Sequence, residues 1–512
     1  MRPSDTPLLG GVLATDQYQV TMAHAYWQAG LAERPARFDH FFRSLPDYGT
    51  HQAGYAVTAG LGWLARWLED VRVTDDDLEY LASQRRPDGT GRFDPGFLAW
   101  LGDVGGFGSL EVRGVPEGRV VHPGTTILTV EGPLAIAQLL ETPLLNAMNY
   151  PTLVATKASR VVDATGDAPV LEFGMRRGPE SGVDAGSRAA LIGGCVASSN
   201  VALSGTVGVP PSGTHAHSFI QAYMALGEGE LAAFRAYAAV HPDECVLLVD
   251  TIDTLGSGVP NAITVFEELR AAGHEPKGIR LDSGDLAHLA VRSAGLLDAA
   301  GFQDVPIVLS SDLDELVIWQ IREQIRAEAP AYGLDPVAVD RRLVYGVGTR
   351  LITSHGAPAL SGVYKLVALS DGKAWLPAVK ISEDRGKIPA PGRKRLIRLY
   401  DRRGRATADV MALADEPEHP DVWDLHHPFR DTARRLEAAD VSEQEDLHVD
   451  VWTDGTRHLG DEPIAELTAR HRRDVERLDP GVRRLVNPHR YHVSYTRALM
   501  DLRERLVAEA LG

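Results

Sequence analysis

The sequence predicts an α/β protein whose centre is a parallel sheet, open or closed into a barrel. Three observations predict it. First, between Val170 and Thr349 short apolar runs end in tight clusters of Gly, Ser, Thr, Asp, His or Arg. These are VLEFGMRRG (170–178), PPSGTHAHSF (210–219), CVLLVDTIDT (245–254), GIRLDSGDL (278–286), PIVLSSDLDE (306–315) and LVYGVGT (343–349). Strands covered by helices on both faces read as such continuous apolar runs. Second, helix-period segments at 185–200, 216–239, 258–273, 285–300 and 312–328 separate the runs, and this alternation means βα units. Third, the flanking text changes to short strands broken by Gly and Pro. Functional groups in such folds gather where strands end and loops begin. Six ends in one stretch imply a single site built from many loops, the pattern of an enzyme.

Taken in order, Thr15 or Asp16 caps a helix running through Tyr18, Val20, Met22, Ala23, Ala25, Tyr26 and Trp27 to Gly30, a natural stop. Its first turn places Asp16 and Tyr18 near the positive end of the helix. RPARFDHFFRSLP (34–46) alternates as a strand does. Residues 56–108 read as helices broken by Gly and Pro, with a DPG turn at 94–96. From Gly108 to Thr142 the text is short strands with Gly/Pro turns, then a helix from about Leu134. LSGVYKLVALSDGKAWLPAVKIS (360–382) returns to antiparallel β text, and 412–455 is polar, acidic and poor in motifs. The tail from Pro463 to Leu511 reads as a helical cap interrupted by VNPHRYHVS (486–494). The division expected is an N-terminal segment (1–145), the central α/β region (146–355), a returning β segment (356–410) and a C-terminal cap (411–512).

A chain of 512 residues suffices for two or three domains. The formal charge, 52 − 70 = −18, argues against a general nucleic-acid binder. It does not exclude anionic small ligands, which local Arg, Lys and helix N-termini can hold. No apolar stretch approaches the roughly 20 residues needed to span a bilayer, and MRPSDTPLLGGVLATD lacks the pattern of a signal peptide. The expectation is a soluble cytoplasmic protein with no membrane partner. Cys195 and Cys245, the only cysteines, sit in apolar runs and read as buried free thiols.

The strand ends carry the candidate chemistry. Gly346, Gly348 and Thr349 follow a strand, where glycines let backbone approach a ligand and successive N–H groups hold an anion; a simple turn is the alternative. DSGD (282–285) offers Asp282 and Asp285 to hold Mg²⁺ through water or to stabilise a developing cation. Ser283 and Gly284 can reach a phosphate, and an Asp/Ser helix cap is the alternative. Arg280 lies in the strand itself and needs an anion there, from the protein or from a ligand carboxylate. Arg176 and Arg177 after EFG raise the same question. His215 and His217 in GTHAHSF lack zinc-ligand spacing, so a titrating or nucleophilic imidazole fits better. DTIDT (250–254) and SSDLDE (310–315) add carboxylates and hydroxyls to the same rim, with helix capping as their default. Hydroxyls and glycines for phosphates, carboxylates for Mg²⁺ or a carbocation, and a strand Arg for an organic acid point to phosphoryl or phosphoribosyl chemistry.

TDQYQVTMAHAYW (15–27), LEFGMRRG (171–178), GTHAHSF (213–219), GIRLDSGDL (278–286), SSDLDE (310–315), YGVGT (345–349), SGVYKLV (361–367) and NPHRYHVS (487–494) occur in order. Together they resemble the nicotinate phosphoribosyltransferases. The resemblance implies a type II phosphoribosyltransferase fold: an irregular α/β barrel plus an α/β sandwich built from N-terminal and returning segments. It implies condensation of nicotinate with phosphoribosyl pyrophosphate, coupled to ATP hydrolysis through a phosphohistidine and requiring Mg²⁺. Carried over by motif, His217 is the phosphorylated residue, and Tyr18, Thr214 and Arg280 contact nicotinate. Thr349 and Gly348, with Ser283, Gly284 and Arg176, face phosphoribosyl pyrophosphate. Asp282 and Asp285 join His217 as catalytic groups, and no residue is assigned as a fixed metal ligand. Ser311 stands where the family more commonly carries Asn or Gly.

The resemblance also implies a homodimer whose site is shared, with Tyr18 crossing the interface. KISEDRGKIPAPGRKR (380–395) resembles the family's anion-facing segment. The alternatives are a nicotinamide or quinolinate phosphoribosyltransferase of the same fold, a barrel aldolase using a Lys Schiff base, or a non-catalytic sensor of NAD precursors. Quinolinate would demand more Arg and Lys around Arg280, and no central strand ends in the Lys an aldolase needs.

Overall fold

The structure, a computed structural model, describes residues 10–380 and 388–511. Residues 381–387 of the basic stretch 380–395 therefore lie outside the described residues. The chain divides into two compact units, one of residues 157–355 and one of 1–156 with 356–512. The division falls inside the long helix Glu141–Thr165.

The 157–355 unit holds a six-stranded parallel sheet. Its spatial order is Ala197–Ser198, Val170–Glu172, Leu343–Val347, Ile307–Ser310, Gly278–Leu281, Val246–Leu248. The last strand in sequence pairs with the first, so the winding is that of a barrel with one seam left open, between Ala197–Ser198 and Val246–Leu248. Its strands are short and buried, with patterns such as BBBB over Ile307–Ser310, because helices Glu180–Ile192, Val259–Ala271, Leu286–Ala299 and Glu315–Glu328 follow them. Helix starts are set by side-chain caps: Asp285 accepts from His288 N–H, and Asp314 from Leu316 and Val317 N–H.

One sequence expectation changes here. PPSGTHAHSF follows a helix, Val201–Val207, rather than a strand. The loop nevertheless returns to a strand end, because Ser212 N–H donates to Ser198 O at 2.9 Å. His215 then closes part of the seam: its Nε2 accepts the N–H of Leu248 at 3.2 Å, a group that faces the open side of the sheet.

The other unit contains a seven-stranded sheet and a six-stranded sheet. Pro35–Phe42 lies inside the first, antiparallel to both Leu128–Pro133 and Gly362–Ser370, so the segment after Thr349 does return to N-terminal strands. Phe38 stacks on Tyr364 at 4.7 Å in its core. The DPG at 94–96 is not a turn. Asp94 caps, and Pro95 begins, the helix Pro95–Val104, since a proline lacks only an N–H that a first helical residue does not use.

Residues 412–455, polar and poor in motifs in the sequence, form strands. Ala406–Leu413, Val422–His426, Ala433–Glu437 and Val441–Asp446 build the six-stranded sheet with Lys394–Asp401 and Val493–Thr496. Buried ion pairs hold this sheet: Arg398 binds Asp409 at 2.7 Å and Asp474 at 3.1 Å, and Arg119 binds Asp474 at 2.8 Å and Glu445 at 2.6 Å. Burial alone would raise the Glu445 carboxyl, but its hydrogen bonds and charge contact with Arg119 outweigh it and bring it down to about 2. No helix among the described residues is long and apolar enough to cross a membrane.

Candidate active site

Five loops of the parallel sheet and the THAHS segment supply the candidate residues. Arg280, in the strand Gly278–Leu281, directs its guanidinium to the sheet's C-terminal end. Nε donates to Ser310 Oγ at 2.9 Å and Nη2 to Asp282 Oδ1 at 2.8 Å, with the Phe173 ring 5.6 Å beneath. Ser310 also donates to Asp282 Oδ1. Burial works to raise the Asp282 carboxyl, but the Ser310 hydrogen bond and the Arg280 charge overcome it, so its pKa lies below the usual carboxylate range.

Asp250, one residue beyond Val249 after the strand Val246–Leu248, ties two loops together. Its Oδ2 accepts from Asp282 N–H at 2.8 Å and from Ser283 Oγ–H at 2.7 Å. Its Oδ1 is buried without a hydrogen bond and lies 3.9 Å from His217 Nε2. Asp282 Oδ2 approaches the same nitrogen at 3.8 Å, while His217 Nδ1 meets Thr251 Oγ at 3.1 Å. His217 is thus set among two carboxylates and a hydroxyl, and it opens the helix His217–Ala225. His215 faces inward among Phe219 and Tyr237; burial pushes its imidazole down to about 4. Of the two histidines, His215 is structural and His217 faces the carboxylates.

The remaining candidates divide. Thr214 sits in the same loop, half-buried, with only a long 3.4 Å contact from its hydroxyl to His215 O. Thr349 begins the short helix Thr349–Ile352 behind Gly348, and its neighbour Arg350 pairs with Asp314 at 2.6 Å. Arg176 is exposed on the turn Met175–Arg177, with no hydrogen bond or ion pair among the described residues. Tyr18 belongs to the other unit, on the helix Gln17–Gln28, and is 50% exposed.

Three of the candidates have structural engagements of their own. Asp285 is a helix cap: its carboxylate accepts from His288 N–H and from Gln324 at 2.9 Å, so it is engaged away from His217. The Ser283 hydroxyl is engaged by Asp250, so it joins two loops rather than standing free for a phosphate. Glycine at 346 and 348 serves packing: a Cβ would come within 2.6 Å of the Phe173 ring at Gly346 and 3.1 Å of Phe173 O at Gly348. Gly284, by contrast, needs its left-handed conformation at φ +82°. Sequence reasoning undervalued Asp250 and Ser310, which it left as capping groups. Their signal was position, Asp250 just beyond one apolar run and Ser310 at the end of another.

With this geometry in place, comparison with known proteins is decisive. Residues 13–149 match the family model of the nicotinate phosphoribosyltransferase N-terminal domain and 393–503 that of its C-terminal domain. The chain is 42% identical to the nicotinate phosphoribosyltransferase of Bacillus subtilis, covering 79% of this chain and 76% of that one. The chain belongs to the nicotinate phosphoribosyltransferase family. It is also 35% identical to the Caenorhabditis elegans nicotinate phosphoribosyltransferase, covering 95% and 92% of the two chains. The crystal structure of the human nicotinic acid phosphoribosyltransferase superposes with a TM-score of 0.78 at 31% identity, covering 96% of this chain and 99% of that one. An enzyme of the type II phosphoribosyltransferase fold follows from these matches.

Proposed function

We propose that this enzyme condenses nicotinate with phosphoribosyl pyrophosphate to nicotinate mononucleotide and pyrophosphate, coupled to ATP hydrolysis, as the first step of NAD salvage from nicotinate. One observation carries the reading: a strand-end guanidinium, Arg280, stands beside an imidazole, His217, that two carboxylates face. The free edge of the Arg280 fork suits the carboxylate of nicotinate. The pyridine nitrogen attacks ribose C1, the C1–O bond to pyrophosphate breaks, and positive charge develops on the sugar. Asp282 is the carboxylate positioned to offset that charge.

Asp250 and Asp282 bear on the metal. No group of three or more His, Cys, Asp or Glu among the described residues forms a cage. Mg²⁺ is usually held by one or two carboxylates together with substrate phosphates, and the unpartnered Asp250 Oδ1 with Asp282 Oδ2 fits that pattern. Bound there with the substrates, the ion would offset phosphate charge. His217 is the group for ATP coupling. The carboxylates near Nε2 favour a proton on that nitrogen, leaving the Nδ1 lone pair to take the γ-phosphoryl group as ADP departs. Water later releases phosphate and restores the imidazole. Tyr18 contributes to the ring site, and a homodimer with shared sites supplies it across subunits.

A substrate panel tests the reading: nicotinate, nicotinamide and quinolinate, each with phosphoribosyl pyrophosphate, with and without ATP. Turnover of nicotinate alone, stimulated by ATP, is expected. ATP stimulation that survives His217→Asn would remove the phosphohistidine, and turnover of nicotinamide or quinolinate in its place would overturn the substrate.

A further inference from the structure

One motif is not absorbed by the site above. NPHRYHVS (487–494) leads into the strand Val493–Thr496 of the 1–156/356–512 unit. That strand runs antiparallel to Val422–His426, with Leu425 opposite Thr496 and His426 opposite Tyr495. Val422–His426 in turn pairs with Ala433–Glu437. The turn 427–432 between those two strands therefore lies at the end of the sheet where 487–492 enters.

The entering segment is anchored by one side chain. Tyr491 donates to Asp409 Oδ1 at 3.1 Å and stacks on His122, centroids 3.9 Å apart and planes 12° apart. Its neighbours His489, Arg490 and His492 are left exposed. Opposite them the turn presents His427 and Arg430, with Arg434 just beyond. None of the six has a carboxylate partner among the described residues; Arg434 donates to Thr407 and His427 accepts from Phe429 N–H. Asp431, the one carboxylate of the turn, forms no ion pair with them. Burial lowers the His427 imidazole, and the charges of Arg430, His492 and Arg490 lower it further; burial, Arg434 and His489 do the same to His492. Three guanidinium and three imidazole groups are thus gathered around a single carboxylate that forms no ion pair with them, in a chain of net charge −18.

We propose that 427–434 and 489–492 form a binding site for a polyphosphate anion, in the unit that does not carry Arg280 and His217. Guanidinium forks and imidazole N–H groups from two loops suit the dispersed oxygens of a phosphate chain. Nucleoside triphosphates and inorganic pyrophosphate share that chemistry. Phe429, in the same turn, is edge-on to His427 at 6.1 Å and carries the buried Arg503 guanidinium over its ring at 5.6 Å; only the 37% of the residue left exposed is open to a nucleotide base. An anion here favours the charged imidazoles, so binding takes up protons and strengthens as pH falls through the histidine range.

The test is calorimetric titration of the full-length protein with pyrophosphate and, separately, ATP. Wild type, Arg430→Ser/Arg490→Ser and Arg280→Ala are compared at two pH values. Each lost charge-assisted contact weakens binding by about tenfold or more. The expected result is a class of sites that survives Arg280→Ala, is weakened about a hundredfold in the double variant, and takes up protons on binding. ATP binding tighter than pyrophosphate assigns the site to nucleotides, and equal affinities assign it to the phosphate chain alone. Binding unchanged in the double variant, or lost entirely in Arg280→Ala, overturns the proposal. The double variant is expected to keep the wild-type unfolding midpoint without ligand, since both residues are exposed. Failure of the nicotinate activity itself would leave this result intact, because the assay reads binding to a different unit.

Discussion

Replacing Arg280 with lysine keeps the positive charge at the strand end and removes the planar fork. In the native protein one edge of the guanidinium is already committed, Nε to Ser310 at 2.9 Å and Nη2 to Asp282 at 2.8 Å, and the remaining N–H groups are those available to a carboxylate. A lysine ammonium cannot satisfy Ser310, Asp282 and a ligand in one plane. The loss is about one charge-assisted hydrogen bond, ~1.5–3 kcal/mol. At about 1.4 kcal/mol per decade this corresponds to a roughly 10- to 150-fold rise in the KM for nicotinate. The KM for phosphoribosyl pyrophosphate should move far less. The same change weakens a contact that holds the Asp282 carboxyl low. A carboxyl with a depressed pKa stays ionised until pH falls through that lowered value; weakening the contact raises it, so the acid limb of kcat/KM moves to higher pH. Initial rates at saturating phosphoribosyl pyrophosphate, from neutral to acidic pH, read both effects. A nicotinate KM within about twofold of wild type would refute Arg280 as the carboxylate clamp.

Asp285→Ala should cost about 1 kcal/mol of stability as a lost cap while leaving kcat within a few-fold; a large loss of turnover at unchanged stability would restore Asp285 to the catalytic group. Glu315→Gln uncouples a wholly buried carboxylate from Lys157 at 2.7 Å and Arg160 at 3.3 Å. A loss of about 3–5 kcal/mol is expected in denaturant unfolding, since two buried cations are left without it, and a loss below ~1 kcal/mol would contradict that. Burial holds His40 at about 4 and His122 near 3, so the unfolded chain binds more protons than the folded one below about pH 6.5. Stability therefore falls as pH falls, by about 1.4 kcal/mol per pH unit for each residue, until the folded imidazoles themselves titrate. His122→Phe should remove one such increment from the slope of unfolding midpoint against pH; an unaltered slope would show that His122 is not buried neutral.

The parallel sheet was legible because its strands have no polar alternation to disguise them and its loops carry Gly and Asp at their starts. Elsewhere the sequence hid what long-range contacts decide. PPSGTHAHSF looks like a strand end, and it reaches one only through the bond from Ser212 to Ser198 O across a helix. Asp94-Pro95-Gly96 satisfies the chemistry of a turn and of a helix start equally well. Residues 412–455 read as motif-poor polar text because their strands pair Glu445 with Arg119, expose alternate residues of Ala433–Glu437 and leave no residue of Val441–Asp446 fully buried.

What separates candidate catalyst from cap in these loops is position between strand and helix. In DTIDT, Asp250 follows Val249, whose N–H still bonds Arg280 O of the neighbouring strand, and faces His217, while Asp253, three residues on, accepts from Gly256 N–H. In DSGD, Asp282 follows its strand and faces His217, while Asp285 caps the next helix. In SSDLDE, Ser310 ends the strand and holds Arg280 and Asp282, while Asp314 caps the helix and pairs with Arg350. The reason is geometric. The first loop residue still projects from the sheet's C-terminal end, where neighbouring loops converge. The last must fold back to satisfy the free N–H groups of the helix it begins. A side chain cannot do both, and so in each of these loops the strand-end group and the capping acid divide their roles in the same order along the chain.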